Sequence, residues 1–166
     1  MQIKQNLKLK VASLNDIRKS MKNLDPAEME EIILRLAKFK VDNKALLNYL
    51  LYERADEENY IKDVKIEISQ VFSDTNTSSQ YLAKKTIRKA LKICNNHIKY
   101  SGLTGTSIEL LMHFCFELKD LGFNLKGNHV LANLYQRQIK RIEQSINTLH
   151  EDLQYDYNKE LEKLYN

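Results

Sequence analysis

The chain has 166 residues, a mass of 19.5 kDa and a formal net charge of +4. This length suits one domain with its own core, and one proline with four glycines leaves few sharp turns, which disfavours a sheet built of many hairpins. The charge is too mild to predict nucleic-acid binding, and two cysteines are too few for a disulfide framework, so we expect a reduced, cytoplasmic protein.

The chain shows neither an export signal nor a membrane segment. Apolar residues and lysines alternate in the first ten positions, whereas a secretory signal needs a continuous apolar block. The densest apolar stretch, Ile108 to Leu118, contains charged side chains and is much shorter than the roughly 20 residues that cross a bilayer. We therefore expect no membrane partner.

Start signals for helices recur through the first half of the chain. Ser13 is predicted to cap a short helix that reaches about Met21. Asp25, followed by proline at the first helical position, opens a second helix that ends at about Lys40. After Asp25, the apolar residues Met29, Ile32, Ile33 and Leu36 follow at the spacing of one helix face.

Two more helices precede the clearest loop. Asp42 is predicted to cap a helix that ends at about Arg54, and Asp56 a helix that reaches Val71. Their connections are very short, and short connections force consecutive helices to lie antiparallel. Residues 73–79 are wholly polar and form a loop, which we interpret as an internal joint rather than a domain boundary.

The fifth and sixth helices are punctuated by glycine. The fifth covers 79–100 and stops at Gly102, and the sixth begins with Thr106 or Ser107 as its cap and closes at Gly122. Apolar side chains surround almost the whole circumference of the sixth helix, which predicts that it is the most buried element.

The last segment has apolar residues at alternating steps of four and three. We predict one long closing helix that runs from about residue 129 to the C-terminus. Its end contains Tyr155, Tyr157 and Tyr165, a composition that favours a protein interface and a homodimer through this helix. Equally, these tyrosines could complete the packing of the helix within the chain.

These elements define an all-α fold and a single domain over residues 1–166, with the loop 73–79 inside it. About seven helices should form antiparallel hairpins that resemble a short superhelical repeat array and end in a long C-terminal helix. An irregular helical bundle is the alternative.

The fifth helix is the most polarised part of the sequence. No acidic residue occurs between Thr75 and Ile108, and on a helix the cations of this segment lie opposite its apolar residues. The candidate binding face consists of Lys84, Lys85, Arg88, Lys89, Lys92 and Lys99, which we call the basic face. Its charges are solvated or paired within the molecule, bind an acidic protein, or bind nucleic acid with help from Tyr81 and Tyr100.

Further residues bear on these three interpretations. Five cations elsewhere could extend the basic face, namely Arg18, Lys19, Arg137, Lys140 and Arg141. Acidic residues of the first half could instead neutralise it, namely Glu28, Glu30, Glu31, Glu53, Asp56, Glu57, Glu58 and Asp63.

One polar line on the sixth helix has the residue types of a metal site. Glu109, His113 and Glu117 recur at intervals of four and share one face. The facing helices lack a second motif to complete such a site, so we predict a solvated or salt-bridged line and no metal. His97, three residues after Cys94, is predicted to be a histidine at the edge of the core.

Motifs for catalysis were not found. The sequence contains no glycine-rich phosphate loop and no nucleophile elbow, which argues against an enzyme and against a bound cofactor. We therefore predict a non-catalytic helical interaction module whose partner is a protein. The alternative is a nucleic-acid-binding protein that uses the basic face of helix 79–100.

Three segments resemble a family of small all-helical bacterial proteins known as a domain of unknown function. They are the run from Ala83 to Ala90, the segment from Glu109 to Phe114 and the turn at 121–123, and the resemblance spans about Leu24 to Ile146. It implies an all-helical fold and transfers no functional residue.

Overall fold

The computed structural model describes residues 11–122 and 128–165, and within these residues it contains helices and no strands. The all-α class is thus confirmed. The helices are α1 (Leu14–Met21), α2 (Pro26–Phe39), α3 (Val41–Asn48), α4 (Glu57–Ser73), α5 (Gln80–Ser101), α6 (Thr104–Asp120), α7 (His129–Ile146) and α8 (Glu151–Tyr165).

Polar side chains start most of these helices. Asp25 and Glu28 form a reciprocal capping box, in which the amide of Glu28 donates to Asp25 at 2.8 Å and the amide of Asp25 donates to Glu28 at 3.0 Å. A single side-chain cap serves α1, α4, α5 and α7, from Ser13, Asp56, Ser79 and Asn128 respectively. Each cap satisfies an amide that has no partner inside its helix, which fixes where the helix begins.

The chain divides into two compact units, residues 1–44 and 45–166. The boundary lies inside α3 and not at the loop 73–79. The physical reason is that α4, before this loop, packs against both α5 and α6 after it, so the loop joins parts of one core.

Unit 1 contains α1, α2 and the beginning of α3. None of its described residues is buried, although apolar side chains recur at helical spacing. Large apolar side chains such as Leu14, Leu36 and Phe39 are exposed. The hydrophobic core of the described chain therefore starts with Tyr49, in unit 2.

A π-helical turn follows α3 at Tyr49–Glu53, where the amide of Arg54 donates to the carbonyl of Tyr49 at 2.9 Å. The wider turn inserts one extra residue into the helical ladder. The Tyr49 side chain is only 2% exposed, and its ring lies 4.8 Å from the ring of Tyr60. The third helix was thus predicted in the right place, but its end departs from α-helical geometry where Tyr49 enters the core.

Helix α6 is the centre of unit 2, as predicted. It packs against α4, α5, α7 and α8. Its fully buried side chains include Leu111 and Phe114, and the Phe114 ring meets Phe72 of α4 edge-on at 5.4 Å. A helix that is apolar almost all round needs neighbours on every side, and α6 has them.

Contacts between α4, α5 and α6 define their directions. Glu57 and Tyr60 of α4 bind Ser101 and His97 of α5, so these two helices run antiparallel as a hairpin. Between α4 and α6 the contacting residue numbers rise together, which makes them parallel. In a repeat array each unit touches only its sequence neighbours, whereas α6 touches four helices. The repeat arrangement is not confirmed.

Two predicted boundaries are wrong. Helix α6 starts at Thr104 after Leu103, without a side-chain cap, and the Thr106 hydroxyl, predicted as a possible cap, donates to Glu57 instead. The long C-terminal helix is interrupted at residues 147–150, where the amides of Thr148 and Leu149 turn back to the carbonyls of Ser145 and Ile146. The break produces α7 and α8 and leaves Leu161 and Leu164 of α8 buried.

Replacement of Phe114 by Ala should lower the free energy of unfolding by about 3–5 kcal/mol, because the side chain is fully buried and leaves a cavity. Urea unfolding followed by circular dichroism measures this loss. The control is Phe116→Ala in the same helix, whose side chain is only half-buried and should cost less. Equal losses in the two variants would contradict the central position of Phe114.

Candidate functional site

The basic face lies on the solvent side of α5. The helix is capped by Ser79 at its start and ends at Gly102, whose φ of 69° is the left-handed conformation that glycine adopts without strain. One side of α5 buries Ala83, Ile87 and Cys94. On the opposite side, five of the six cations are exposed and Lys84 is half-buried.

These six cations are unpaired within unit 2. Among its described residues, no carboxylate forms an ion pair with any of them. Elsewhere in the unit, Lys62, Lys65 and Lys163 each reach a glutamate at 2.5–2.8 Å. Lys119, Lys140 and Lys159 of the same unit also form no ion pair with a described residue, so the basic face is distinguished by the six such cations that it gathers on one helix.

The acidic residues of unit 2 that could have neutralised the basic face have other partners. Glu58 pairs with Lys62 at 2.8 Å, Asp63 accepts from Asn59 at 3.3 Å, and Asp56 caps α4. Glu53 accepts from Asn48 at 3.4 Å. Glu57 is held by hydroxyl groups, as described below. Glu28, Glu30 and Glu31 belong to unit 1.

Two tyrosines were predicted to accompany the basic face, and the structure places only one of them there. Tyr81 is 78% exposed on the same side of α5 as the cations. Tyr100 is half-buried and meets the ring of His97 edge-on at 5.6 Å, so it belongs to the core edge. Only Tyr81 is available for stacking on a ligand.

The cations proposed to extend the basic face differ in position. The Arg141 guanidinium of α7 donates to Asn95 of α5 at 2.9 Å and to Gln138 at 2.7 Å, which brings it beside α5. Arg137 donates to a backbone carbonyl of its own helix, and Lys140 is exposed. Arg18 and Lys19 lie on α1, in unit 1.

The polar line of α6 packs against α4 and links the two helices. Lys65 donates to Glu109 at 2.5 Å, and Ser69 contacts His113 at 2.8 Å and also donates to Glu117. Within the described residues, no three acidic, histidine or cysteine side chains are arranged to hold a metal. The polar line of α6 is thus salt-bridged, which is one of the two arrangements predicted from the sequence.

Ser69, His113 and Glu117 have the residue types of a hydrolytic triad but not its geometry. The Nε2 atom of His113 faces Ser69, lies 3.4 Å from Glu117 and lies 3.0 Å from the carbonyl of Lys65. A triad needs its carboxylate on the opposite ring nitrogen, where it orients the base. Burial lowers the pKa of His113, and the nearby Glu117 carboxylate offsets this only in part. The three side chains therefore link α4 to α6.

His97 occupies the core edge between α4 and α5. Its Nδ1 atom lies 2.7 Å from the Tyr60 hydroxyl and its Nε2 atom lies 3.2 Å from Glu67. Burial lowers its pKa, while the attraction of Glu67 acts in the opposite direction and does not prevail. This position agrees with the prediction for His97.

The two cysteines are buried and free. Burial raises the pKa of the Cys94 thiol to about 12 and raises that of Cys115 as well. A thiol that stays protonated at neutral pH is a poor nucleophile and a poor metal ligand. Both cysteines act as small apolar side chains of the core.

A polar cluster around Glu57 was not predicted from the sequence. Glu57 accepts hydrogen bonds from Tyr49 at 2.6 Å, from Ser101 at 2.5 Å and from Thr106. Burial alone would raise the pKa of this carboxyl, but the three hydroxyl donors outweigh burial and lower it. The donors come from the π-helical turn, α5 and α6, up to 49 residues away, so no local pattern indicates the cluster.

The three tyrosines of the candidate interface are divided by the structure. Tyr155 is 72% exposed on α8. Tyr157 is half-buried and packs against the core, and Tyr165 donates to Glu143 of α7 although half of its surface is exposed. Tyr157 thus completes the packing of the chain, and Tyr155 is the tyrosine left for a partner.

Comparison of the chain with models of protein families, with curated proteins and with solved structures gave no match. The resemblance to a family of small helical bacterial proteins therefore stays a prediction. In residues 11–122 and 128–165, no helix has both the length and the apolar composition needed to cross a bilayer.

Acidification below about pH 6.5 should destabilise the protein. His97 and His113 have lowered pKa values in the folded state, so between the unfolded value and the folded value the unfolded chain binds more protons. Stability therefore falls as the pH drops through this window and is unaffected by these groups above it. Urea midpoints measured from pH 7.5 to pH 5 should decrease accordingly.

Two variants test whether His97 and His113 cause this pH dependence. His97→Gln combined with His113→Gln should flatten the change of midpoint between pH 7 and pH 5.5, whereas His150→Gln, at an exposed position, should leave it intact. A double variant with the same pH profile as the natural chain would show that these two histidines do not cause the effect.

Proposed function

We propose that the protein is a non-catalytic helical interaction module that binds an acidic surface of a protein partner through the basic face of α5. The observation that carries this proposal is the set of six cations without a carboxylate partner among the described residues of unit 2. Cations on a rigid helix need no rearrangement to meet a partner. They accelerate association with an oppositely charged surface and select against basic ones.

The rigidity of the platform supports the proposal. Ala83, Ile87, Ala90 and Cys94 are fully buried, so the side of α5 opposite the cations is anchored in the core. Several described polar residues with shifted pKa values, such as Glu57, His97 and His113, form hydrogen bonds to other helices, which supports a structural role for them. A cytoplasmic location belongs to the same proposal and agrees with two free, buried thiols.

Self-association through α8 is a further proposal, and it depends on Tyr155. This side chain and Leu153 are both exposed on α8, 72% and 49% respectively. Tyrosine contributes large contact area at low entropic cost, which suits an interface between copies of the chain.

Nucleic acid is the second candidate ligand of the basic face, and the position of Tyr81 favours it. An exposed aromatic ring among cations lets a base stack while the cations contact phosphates. The face provides one such ring, and Tyr100 does not contribute a second. We therefore rank nucleic acid below an acidic protein surface.

Binding to two probes of equal charge tests the proposal. Fluorescence anisotropy compares a labelled polyglutamate peptide with a labelled single-stranded DNA oligonucleotide over a range of salt concentrations. The peptide should bind in a salt-dependent manner, and the triple variant Arg88→Gln, Lys89→Gln, Lys92→Gln should bind it at least about tenfold more weakly, since it removes three charges from one face.

A matched control separates this face from net charge. The triple variant Lys62→Gln, Lys159→Gln, Lys163→Gln removes three charges from α4 and α8 and should retain most of the affinity. If both triple variants lose the same affinity, or if the peptide does not bind at low salt, the proposal is wrong. Preferential DNA binding, with a salt slope that shrinks by about two to three in the basic-face variant, would favour the second candidate.

A further inference from the structure

A groove in unit 2 lies between the C-terminal end of α5, the first turns of α6 and the last turns of α7. Its volume is about 460 Å³. The polar residues that line it are Arg141, Gln144, Thr104, Ser107, Ser145 and Thr148, and the hydroxyl of Thr148 donates to the carbonyl of Ser145 at 2.8 Å. No acidic residue is among the lining side chains. The groove therefore presents one fixed positive charge and several hydrogen-bond donors to whatever enters it.

Arg141 is the unusual member of this groove. Its side chain is half-buried, and the hydrogen-bond partners that it has in the described part of the chain are two neutral amides, Asn95 at 2.9 Å and Gln138 at 2.7 Å. Gln138 is itself 5% exposed, and its amide nitrogen donates to a carbonyl of α7, which fixes its oxygen on Arg141. The guanidinium is thus held in place without an ion pair from unit 2.

A charge withdrawn from water is normally compensated by a partner of opposite sign. Neutral amides satisfy donor groups of Arg141 but do not cancel its charge. The guanidinium has five donors, and its hydrogen bonds to Asn95 and Gln138 both come from the Nη1 atom. Donors therefore remain on a positively charged group beside an open groove whose walls supply hydroxyls.

We propose that this groove is an oxyanion site that binds a phosphate group. Phosphate matches the lining because its several acceptor oxygens can receive the planar guanidinium fork and neighbouring hydroxyls together. The volume exceeds that of one phosphate ion and lies within the range of sites for small organic ligands. The phosphate is therefore carried by a larger molecule, either a nucleotide or a phosphorylated side chain.

The inference goes beyond the proposed function, because the groove and the basic face share no residue. Ile98 lines the groove and the adjacent Lys99 belongs to the basic face, so the groove lies at one end of that face. An acidic partner that carries a phosphate at this point would engage both. The two sites are tested by different variants, and the failure of one leaves the other standing.

Heteronuclear NMR of the full chain tests the site. Inorganic phosphate, added at constant ionic strength against a chloride reference, should shift the Arg141 Nε signal and the amides of Thr104, Ser107 and Thr148 with a saturable dependence. Adenosine monophosphate and a phosphoserine peptide form two further arms, and the tighter of them identifies the source of the phosphate. Either ranking supports the site, whereas linear shifts for all three ligands overturn it.

Two variants and a control identify the contribution of Arg141. Arg141→Gln should weaken phosphate binding about tenfold or more, because a charge-assisted hydrogen bond is lost. Arg137→Gln removes the same charge one turn away on α7, outside the groove, and should change affinity less than about twofold. Equal effects of the two variants would show nonspecific attraction only and overturn the proposal.

Arg141→Gln also removes the bonds to Asn95 and Gln138, so a second variant keeps the test independent of folding. Gln144 is an exposed lining residue, and Gln144→Glu places a negative charge in the groove without disturbing the core. This variant should retain the circular dichroism spectrum and melting temperature and should lose phosphate binding. Unchanged binding in a folded Gln144→Glu variant would contradict the proposed position.

Discussion

The burial of α6 on all sides is the constraint on which unit 2 depends. Side chains such as Leu111 and Phe114 leave this helix in different directions, and each is fully buried. One neighbouring helix covers only one stripe of another, so four helices are needed to cover the apolar side chains around most of the circumference of α6. This requirement determines the helical bundle, because α4, α5 and α7 must each pack one apolar side against α6. The outward sides are left to carry charge.

Polar groups inside the bundle are satisfied by partners on other helices. Glu57 receives hydroxyls from three elements, and Glu109 receives Lys65. A partly buried carboxylate without such donors would be destabilising, so these contacts fix how the helices align along one another. The same residue types would be needed for chemistry in an enzyme. In this protein these side chains form hydrogen bonds between α4, α5 and α6. His113 and His97 also form hydrogen bonds to α4.

The basic face and the groove differ from this pattern. Charged groups such as Lys65 have counter-ions across the helix contacts, whereas the cations of α5 have none within the described residues of unit 2. Arg141 likewise has only neutral hydrogen-bond partners in the described part of the chain. Both features leave positive charge uncompensated, along α5 and in the groove at the C-terminal end of this helix. An acidic and phosphorylated partner is the chemistry that would compensate both.

Local signals in the sequence determined the helix starts at Ser13, Asp25 and Asp56, the end of α5 at Gly102 and the central burial of α6, because a cap or an apolar circumference is encoded within a few turns. They also determined that the cations share one side of α5. Tertiary structure decided which charges find partners, since Ser101 lies 44 residues from Glu57 along the chain and Asn95 lies 46 residues from Arg141. It also decided the break after Ile146, where no glycine or proline marks the turn and the helical pattern continues across it. Helix propensity is a property of neighbouring residues, whereas pairing depends on which helices pack together.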